Sequence, residues 1–400
     1  MLLESGKHKI NSLENSYILL MAFFGLLMPF SLILNINAPI LVLIFLLSCA
    51  LYYKNRNNQI SKNRNYSLLS MVLFFVIVVL SMLYSEEINT GLKVTLRILP
   101  IFLFATSFLL IEEISKKSLK IILKFYAIGC LIAIIYCFAV ALFSYNENPL
   151  AITEGFTYFT APLEFHPSYF GIYTIFAFCI YISLLDFDTL KKKIFIGLVW
   201  ILLLSFLVFL RSRAPIIIYF FISLIAVSIR IRRIVLIITL LVFIIVMFFN
   251  YHEILTLISN GRDLGMTIDE RFKIWMNSIF VIKENLLAGV GIGDAQMVLD
   301  KQYFLSGFEK GIDHKYNSHN QFLQTFISNG LIGLISLLFV FLLLFQKAMR
   351  FKSVLIYYFL VCVLILMLFD SVLILQHGVY FFAFFASILL KVNFKTNEAQ

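Results

Sequence analysis

Apolar runs of about twenty residues, each long enough to cross a hydrocarbon core roughly 30 Å thick, recur along nearly the whole chain and constrain its fold more than any other feature. The runs are continuous, without the alternation that a membrane β-barrel requires, so the expected class is an all-α polytopic membrane protein. They fall at approximately 16–34, 38–53, 66–84, 92–111, 121–144, 167–185, 194–210, 214–229, 234–249, 322–346, 353–375 and 378–391, about twelve spans in one integral membrane domain over 1–400. Composition agrees: 61% of residues are hydrophobic and only 14% are charged, unlike a soluble globular domain.

The net charge of +10 would fit a nucleic-acid partner if the basic residues formed one surface. They do not. Lys54, Arg56, Lys62 and Arg64 form one group, and Lys116, Lys117 and Lys120 another. Lys191 to Lys193, then Arg230, Arg232 and Arg233, then Lys347, Arg350 and Lys352 complete the series. The groups occupy every second connection, as the positive-inside rule demands. Basic excess is therefore topological, no nucleic acid is expected, and both termini are placed in the cytoplasm. Lys7 and Lys9 precede a first run too long for a signal-peptide core, which reads as a retained span. Cys49, Cys130, Cys137, Cys179 and Cys362 all lie in apolar runs, so neither a disulfide framework nor a thiolate metal site is expected.

One polar excursion interrupts the pattern, from Asn250 to about Ser318, on the side opposite the basic groups. Within this outer loop (250–318), Thr267 and Glu270 have the spacing of a capping box. Phe272, Trp275, Met276, Ile279 and Phe280 follow as an apolar stripe at helical spacing, which predicts a helix lying on the membrane surface or packed on the bundle. Arg271 stands in its first turn. Gly289-Val290-Gly291-Ile292-Gly293-Asp294 lacks the preceding strand of a nucleotide loop, so it is read as a turn before a short helix near Ala295–Leu299, with amides that can form a weak anion nest.

Several polar residues stand out against this background. Arg211-Ser212-Arg213 joins two spans on the outer side, against the charge rule. These arginines either snorkel to lipid phosphates or form an anion site, and their place opposite the loop favours the latter. Asn317 or Ser318 can cap a helix that continues into the next span, which puts His319 in its first turn among Asn320, Gln321 and Gln324. A lone histidine is usually structural, but these polar neighbours give an orientable imidazole, and Asn320 beside it is a candidate substrate contact. His166 opens another span and either faces the same cavity or sits at an interface. Arg97 and Asp370 lie near outer span ends. Intramembrane charges are functional candidates by default, but these two can instead pair with each other. Metal binding is not expected, since His314 and His319 lack further ligands at regular spacing.

The ordered set Arg211-Ser212-Arg213, Arg271 with Trp275, the 289–293 glycines, Ser318-His319-Asn320-Gln321-Phe322-Leu323-Gln324 and Asn329-Gly330-Leu331-Ile332-Gly333 resembles the O-antigen ligase/polymerase superfamily over roughly 205–345. The resemblance implies a GT-C-like glycosyltransferase of the bacterial inner membrane with its site facing the periplasm. Its donor would be a glycan on undecaprenyl diphosphate, its acceptor lipid A–core or another glycan, with no cofactor. Carried over by position, Arg213, Arg271 and His319 are the catalytic candidates, with Arg211 as a substrate contact; Asn320, His166 and Arg97 join it as substrate contacts on the reading of the residues alone. Asp313-His314-Lys315-Tyr316 assigns the chain to neither ligases nor polymerases.

Elementary chemistry leads to a compatible picture. A lipid diphosphate needs planar, permanently charged donors for its phosphate oxygens, which guanidinium groups supply. The acceptor hydroxyl needs a base, and a neutral imidazole serves near pH 7. A transporter or flippase is the competing class. A carrier places polar groups near the midplane on broken helices in repeated halves, whereas here no repeat is found and the candidates crowd one surface.

Overall fold

A computed structural model describes residues 12–55, 66–111, 114–147, 159–184, 189–210, 212–229 and 268–392. Every regular element among them is helical. The first half contributes α1 (Ser12–Leu27, carried on by a 3-10 turn to a last turn ending at Leu34), α2 (Asn37–Asn55), α3 (Leu69–Ser81), α4 (Ile88–Leu110) and α5 (Lys116–Glu147). Then come α6 (Pro167–Leu184), α7 (Leu190–Phe209) and α8 (Arg213–Ile229). The outer loop contains α9 (Ile268–Glu284), α10 (Ala295–Leu305) and the single turn α11 (Glu309–Asp313). The chain returns through α12 (Gln321–Phe351), α13 (Val354–Phe369) and α14 (Gln376–Lys391).

Six described helices have the length and hydropathy of a membrane span, and four more are apolar but shorter. The segment expected at 234–249 lies outside the described residues, as does Thr267 of the capping box. Glu270 forms an ion pair with Lys310 at 2.9 Å.

The core is built around α14. Its sequence is apolar on all sides, as a helix must be when no face meets water, and every residue from His377 to Lys391 is buried. Aromatic rings reach it from all around: Phe24 of α1 lies 5.7 Å from Tyr380, and Phe104 of α4 lies 5.4 Å from Phe384. Tyr126 of α5 meets Phe385 edge-on at 4.7 Å, and Tyr173 of α6 stacks on Phe381 at 5.0 Å. Such pairs contribute about 0.5–1.5 kcal/mol beyond the area they bury.

The two ends of the bundle differ in chemistry. At one end Lys391 donates to the Ile111 carbonyl and Lys347 to that of Leu390, each at 2.6 Å, so ammonium groups close the ends of α4 and α14. The same end carries the Lys116-Lys117 and Lys347 groups that follow the positive-inside pattern. At the other end meet the start of α6, the α7–α8 turn, the start of α12 and the α13–α14 turn. There Ser168 and Ser212 share a hydrogen bond of 2.8 Å, and the hydroxyl oxygens of Ser318 and Ser371 stand 3.3 Å apart.

The glycine-rich segment is held by α12. Gly330 sits inside that helix with φ 61 and ψ −162, which breaks its backbone ladder. The freed carbonyls of Ile327 and Ser328 accept from the Val290 and Gly291 amides at 2.8 and 3.0 Å. In return the Leu331 and Ile332 amides donate to Leu286 and Leu287 at 2.8 and 3.4 Å. A Cβ on Gly330 would stand 2.2 Å from the Leu287 oxygen, so only glycine fits. Next to it, the Asp294 carboxylate accepts the Glu86 and Glu87 amides, both at 2.8 Å, and fixes the entry of α4. Ser85 accepts from Gly293 at 3.1 Å. With these amides engaged inside the protein, the segment offers no anion nest, which corrects that expectation.

Candidate functional site

The start of α12 shows why so many polar residues precede an apolar span. Asn320, with the extended backbone of an N-cap, accepts the Phe322 and Leu323 amides at 2.9 and 3.2 Å. The cap is thus Asn320 rather than Asn317 or Ser318, and its oxygen is engaged by the backbone. Asn317 instead accepts the His319 amide at 2.8 Å and the Ser371 hydroxyl at 3.0 Å. Ser318 donates its hydroxyl to the Asn320 carbonyl and its amide to Gln324. Gln321 accepts the Leu373 amide at 2.7 Å. This network leaves His319 at φ +42, a left-handed conformation that non-glycine residues rarely adopt, and turns its ring toward the α13–α14 connection.

That connection, residues 370–375, is the junction of the site. Arg271 of α9 donates to the carbonyl of Phe369, the last residue of α13, at 2.6 Å. Arg97 of α4 donates to the Ile374 carbonyl, also at 2.6 Å. Arg97 therefore holds the turn and is not paired with Asp370. Asp370 lies beyond the end of α13, accepts the Ser371 amide at 2.8 Å and brings Oδ1 to 3.7 Å from His319 Nδ1. Burial pushes its carboxyl up, but the His319 contact, the charge of His166 and the Ser371 amide together hold it below the usual carboxylate value. Asp370 is therefore an anion across the neutral range.

His166 completes the cluster from the start of α6. It accepts the Ser168 amide at 3.3 Å and meets Tyr169 edge-on. Crowding by protein atoms lowers its basicity against the pull of Asp370, with His319 and Arg271 adding to the fall. Its surface is nonetheless exposed, so water weakens the desolvation. The Tyr169 hydroxyl lies near Asp370 but makes no hydrogen bond to it.

His319, Asp370, His166 and Arg271 thus act on one another electrostatically, with Arg97 holding the shared turn. Arg211 lies outside the described residues, and of Arg213 only the backbone, which opens α8, is described. The Ser168–Ser212 bond nevertheless brings that turn beside the His166 segment. Two neighbours of His319 and His166 are not placed there by the sequence. Asp370 stands out as an intramembrane charge that is either functional or paired with Arg97, but nothing local links it to a histidine fifty residues earlier in the chain. His377, buried between Phe165 at 4.6 Å and Tyr169 at 4.3 Å, opens an apolar helix and carries no motif.

The loop helix α9 follows the expected period, and of the two orientations open to its apolar stripe the structure shows the one that faces away from the bundle. Ile274, Ser278, Val281 and Ile282 are buried against the rest of the protein, while Phe272, Met276, Ile279 and Phe280 of the predicted stripe are exposed. A cleft of about 360 Å³ beside it is lined by Asp269, Glu270, Lys273 and Lys310 and includes none of the His319 cluster. Its most acidic and basic walls are joined by the Glu270–Lys310 pair.

These features define a helical membrane protein with a histidine–carboxylate–arginine cluster at one end of its bundle. Residues 197–338 match the family model described as O-antigen ligase, and over that region the chain is similar to that family. The match runs from within α7 to within α12, and so includes Arg213, Arg271 and His319 but not Asp370. Comparison with curated proteins returns no match. The family match supports an activity of the O-antigen ligase/polymerase type, with glycosyltransferase-like chemistry at a membrane.

Proposed function

We propose that this chain transfers a glycan from undecaprenyl diphosphate to an acceptor hydroxyl of lipid A–core, as an inverting, metal-independent glycosyltransferase on the periplasmic face of the inner membrane. The observation that carries the reading is the approach of Asp370 to Nδ1 of His319, beside an arginine, within a chain similar to O-antigen ligases.

A carboxylate facing Nδ1 fixes the tautomer that leaves Nε2 open as a proton acceptor. The acceptor oxygen attacks the anomeric carbon while its proton passes to Nε2, and Asp370 stabilises the imidazolium that forms. The bond from the anomeric carbon to the diphosphate oxygen breaks, and the leaving diphosphate carries the electron pair away. Arg271, with Arg213 and Arg211, neutralises that growing charge, the kind of stabilisation that is often the largest catalytic contribution. His166 and Asn320 line the approach of the acceptor. Attack from the side opposite the leaving group inverts the anomeric centre. The His319–Asp370 distance is long for a hydrogen bond, and such contacts tighten when substrate binds.

The test is His319→Ala in cells, with lipid-linked glycan and transferred product both quantified. Turnover is expected to fall by about 10² to 10⁴ while lipid-linked donor accumulates. Transfer at the wild-type rate would remove His319 from the reaction. If the lost product is chain elongation rather than glycan on lipid A–core, the same site serves a polymerase.

A further inference from the structure

We infer that α9 is an interfacial helix whose outward face lies in the outer leaflet of the bilayer. Its occupant is lipid acyl chain, not water and not another protein.

Three observations lead there. The first is the face itself. Phe272 and Phe280 are 62% and 50% exposed, with Met276 and Ile279 between them, one turn apart on the side opposite Ile274, Ser278 and Val281. Large apolar groups gathered this way mark an interaction surface.

The second is depth. The helix begins at the level of the site, where Arg271 reaches the end of α13. Just past its other end, Leu286 and Leu287 accept hydrogen bonds from Leu331 and Ile332 of α12. Those residues stand just past the break at Gly330, and the helix runs on from there about 24 Å to Lys347, so they fall in the outer part of a hydrocarbon core roughly 30 Å thick. With 17 residues, α9 is about 25 Å long. It therefore runs from the site to the outer end of the membrane-spanning part of α12 and does not stand off in water.

The third is continuity. Leu287, 71% exposed, adjoins Ile332 and Ile335 on the outward side of α12, which are 54% and 56% exposed. That side is the lipid-facing flank of a 31-residue apolar helix. The outward face of α9 extends the same surface. Lys283, whose ammonium sits 5.7 Å from the Phe280 ring centroid, has the stem to keep its charge among lipid headgroups while its neighbours enter the acyl region.

The arrangement gives the loop a function beyond supplying residues. Arg271 lies on the protein-facing side of a helix whose other side is embedded, so lipid immersion sets the height of its guanidinium. This inference stands on packing alone and does not depend on the proposed reaction.

The test is spin labelling of the full chain in phosphatidylethanolamine–phosphatidylglycerol vesicles, in a background with the five native cysteines replaced by serine or alanine. Labels are placed singly at Phe272→Cys, Met276→Cys, Ile279→Cys, Phe280→Cys and, as a polar reference, Asp269→Cys. Collision with oxygen is expected to exceed collision with a water-soluble nickel chelate several-fold at the four apolar positions, and to be reversed at Asp269. High nickel accessibility at all four would place the face in water. Low accessibility to both reagents would mean that protein covers it. Either result overturns the inference.

Discussion

Two polar stretches rest on the same helix and use their hydrogen-bonding groups in opposite ways. Residues 286–294 enter the break at Gly330 and hand their amides to α12, to Ser85 and to one another. Residues 317–324 also lean on α12, but there the backbone is satisfied by side chains. Asn317, Asn320 and Gln324 accept the amides, and the imidazole of His319 is left facing Asp370. The first stretch resembles a ligand-binding loop in sequence and is a brace. The second resembles an ordinary helix start and is where His319 meets Asp370, the pair proposed to carry the reaction. A polar segment is informative about function only after its own backbone needs have been counted, because a buried amide or carbonyl takes a partner before any ligand does.

Substitutions on each side of this contrast should separate chemistry from architecture. Asp370→Asn keeps the shape and removes the charge beside Nδ1. Transfer is expected to drop by about 10² or more, close to the loss from His319→Ala, if the pair acts as a unit. Independent, multiplying losses in the double variant would break the pairing. The same variant has a signature in acid. Because the folded Asp370 carboxyl is held below its ordinary value, its contribution to stability is complete above about pH 4 and lost as pH falls from there through the folded value. Thermal unfolding of the Asn variant should lack that part of the acid loss.

Arg271→Lys tests the phosphate side. Loss of one transition-state donor costs about 10²–10³ in rate, and an ammonium cannot reproduce the guanidinium fork. Full activity in the lysine variant would reduce the role of Arg271 to simple charge. On the bracing side the effect should be on stability alone. Gly330→Ala forces a Cβ against the Leu287 carbonyl at a positive φ, at a cost of about 1–3 kcal/mol. The expected result is a lower melting temperature with transfer per folded molecule nearly unchanged. A selective loss of transfer would join the brace to the mechanism and erase the distinction.

Much of the architecture could be read from residues alone. Continuous apolar runs and alternating basic groups report on lipid contact and orientation one segment at a time, so α1, α4, α5, α6 and α12 follow directly. Local reading left two answers open where two surroundings compete. The apolar stripe of α9 could lie on the membrane or pack on the bundle, and Ile274, Ser278 and Val281 do the packing, since beside a membrane the most apolar side need not face protein. Within the site, His319 and Arg271 announced themselves by being polar in the wrong place. Asp370 did too, but with its partner left open. Which intramembrane charge meets which depends on how α12 and α13 lie together, and no spacing in the sequence records that.

The central helix α14 also bears on how the molecule comes into being. The helices that sheathe it, α1, α4, α5 and α6 together with α12 and α13, are all made before it. An all-apolar helix is also at home among acyl chains, so what favours the axial slot is its packing against Phe24, Phe104, Tyr126 and Tyr173. The turn that leads into α14 carries Asp370, so the seating of α14 at the axis and the approach of Asp370 to His319 are tied together through six residues, 370–375.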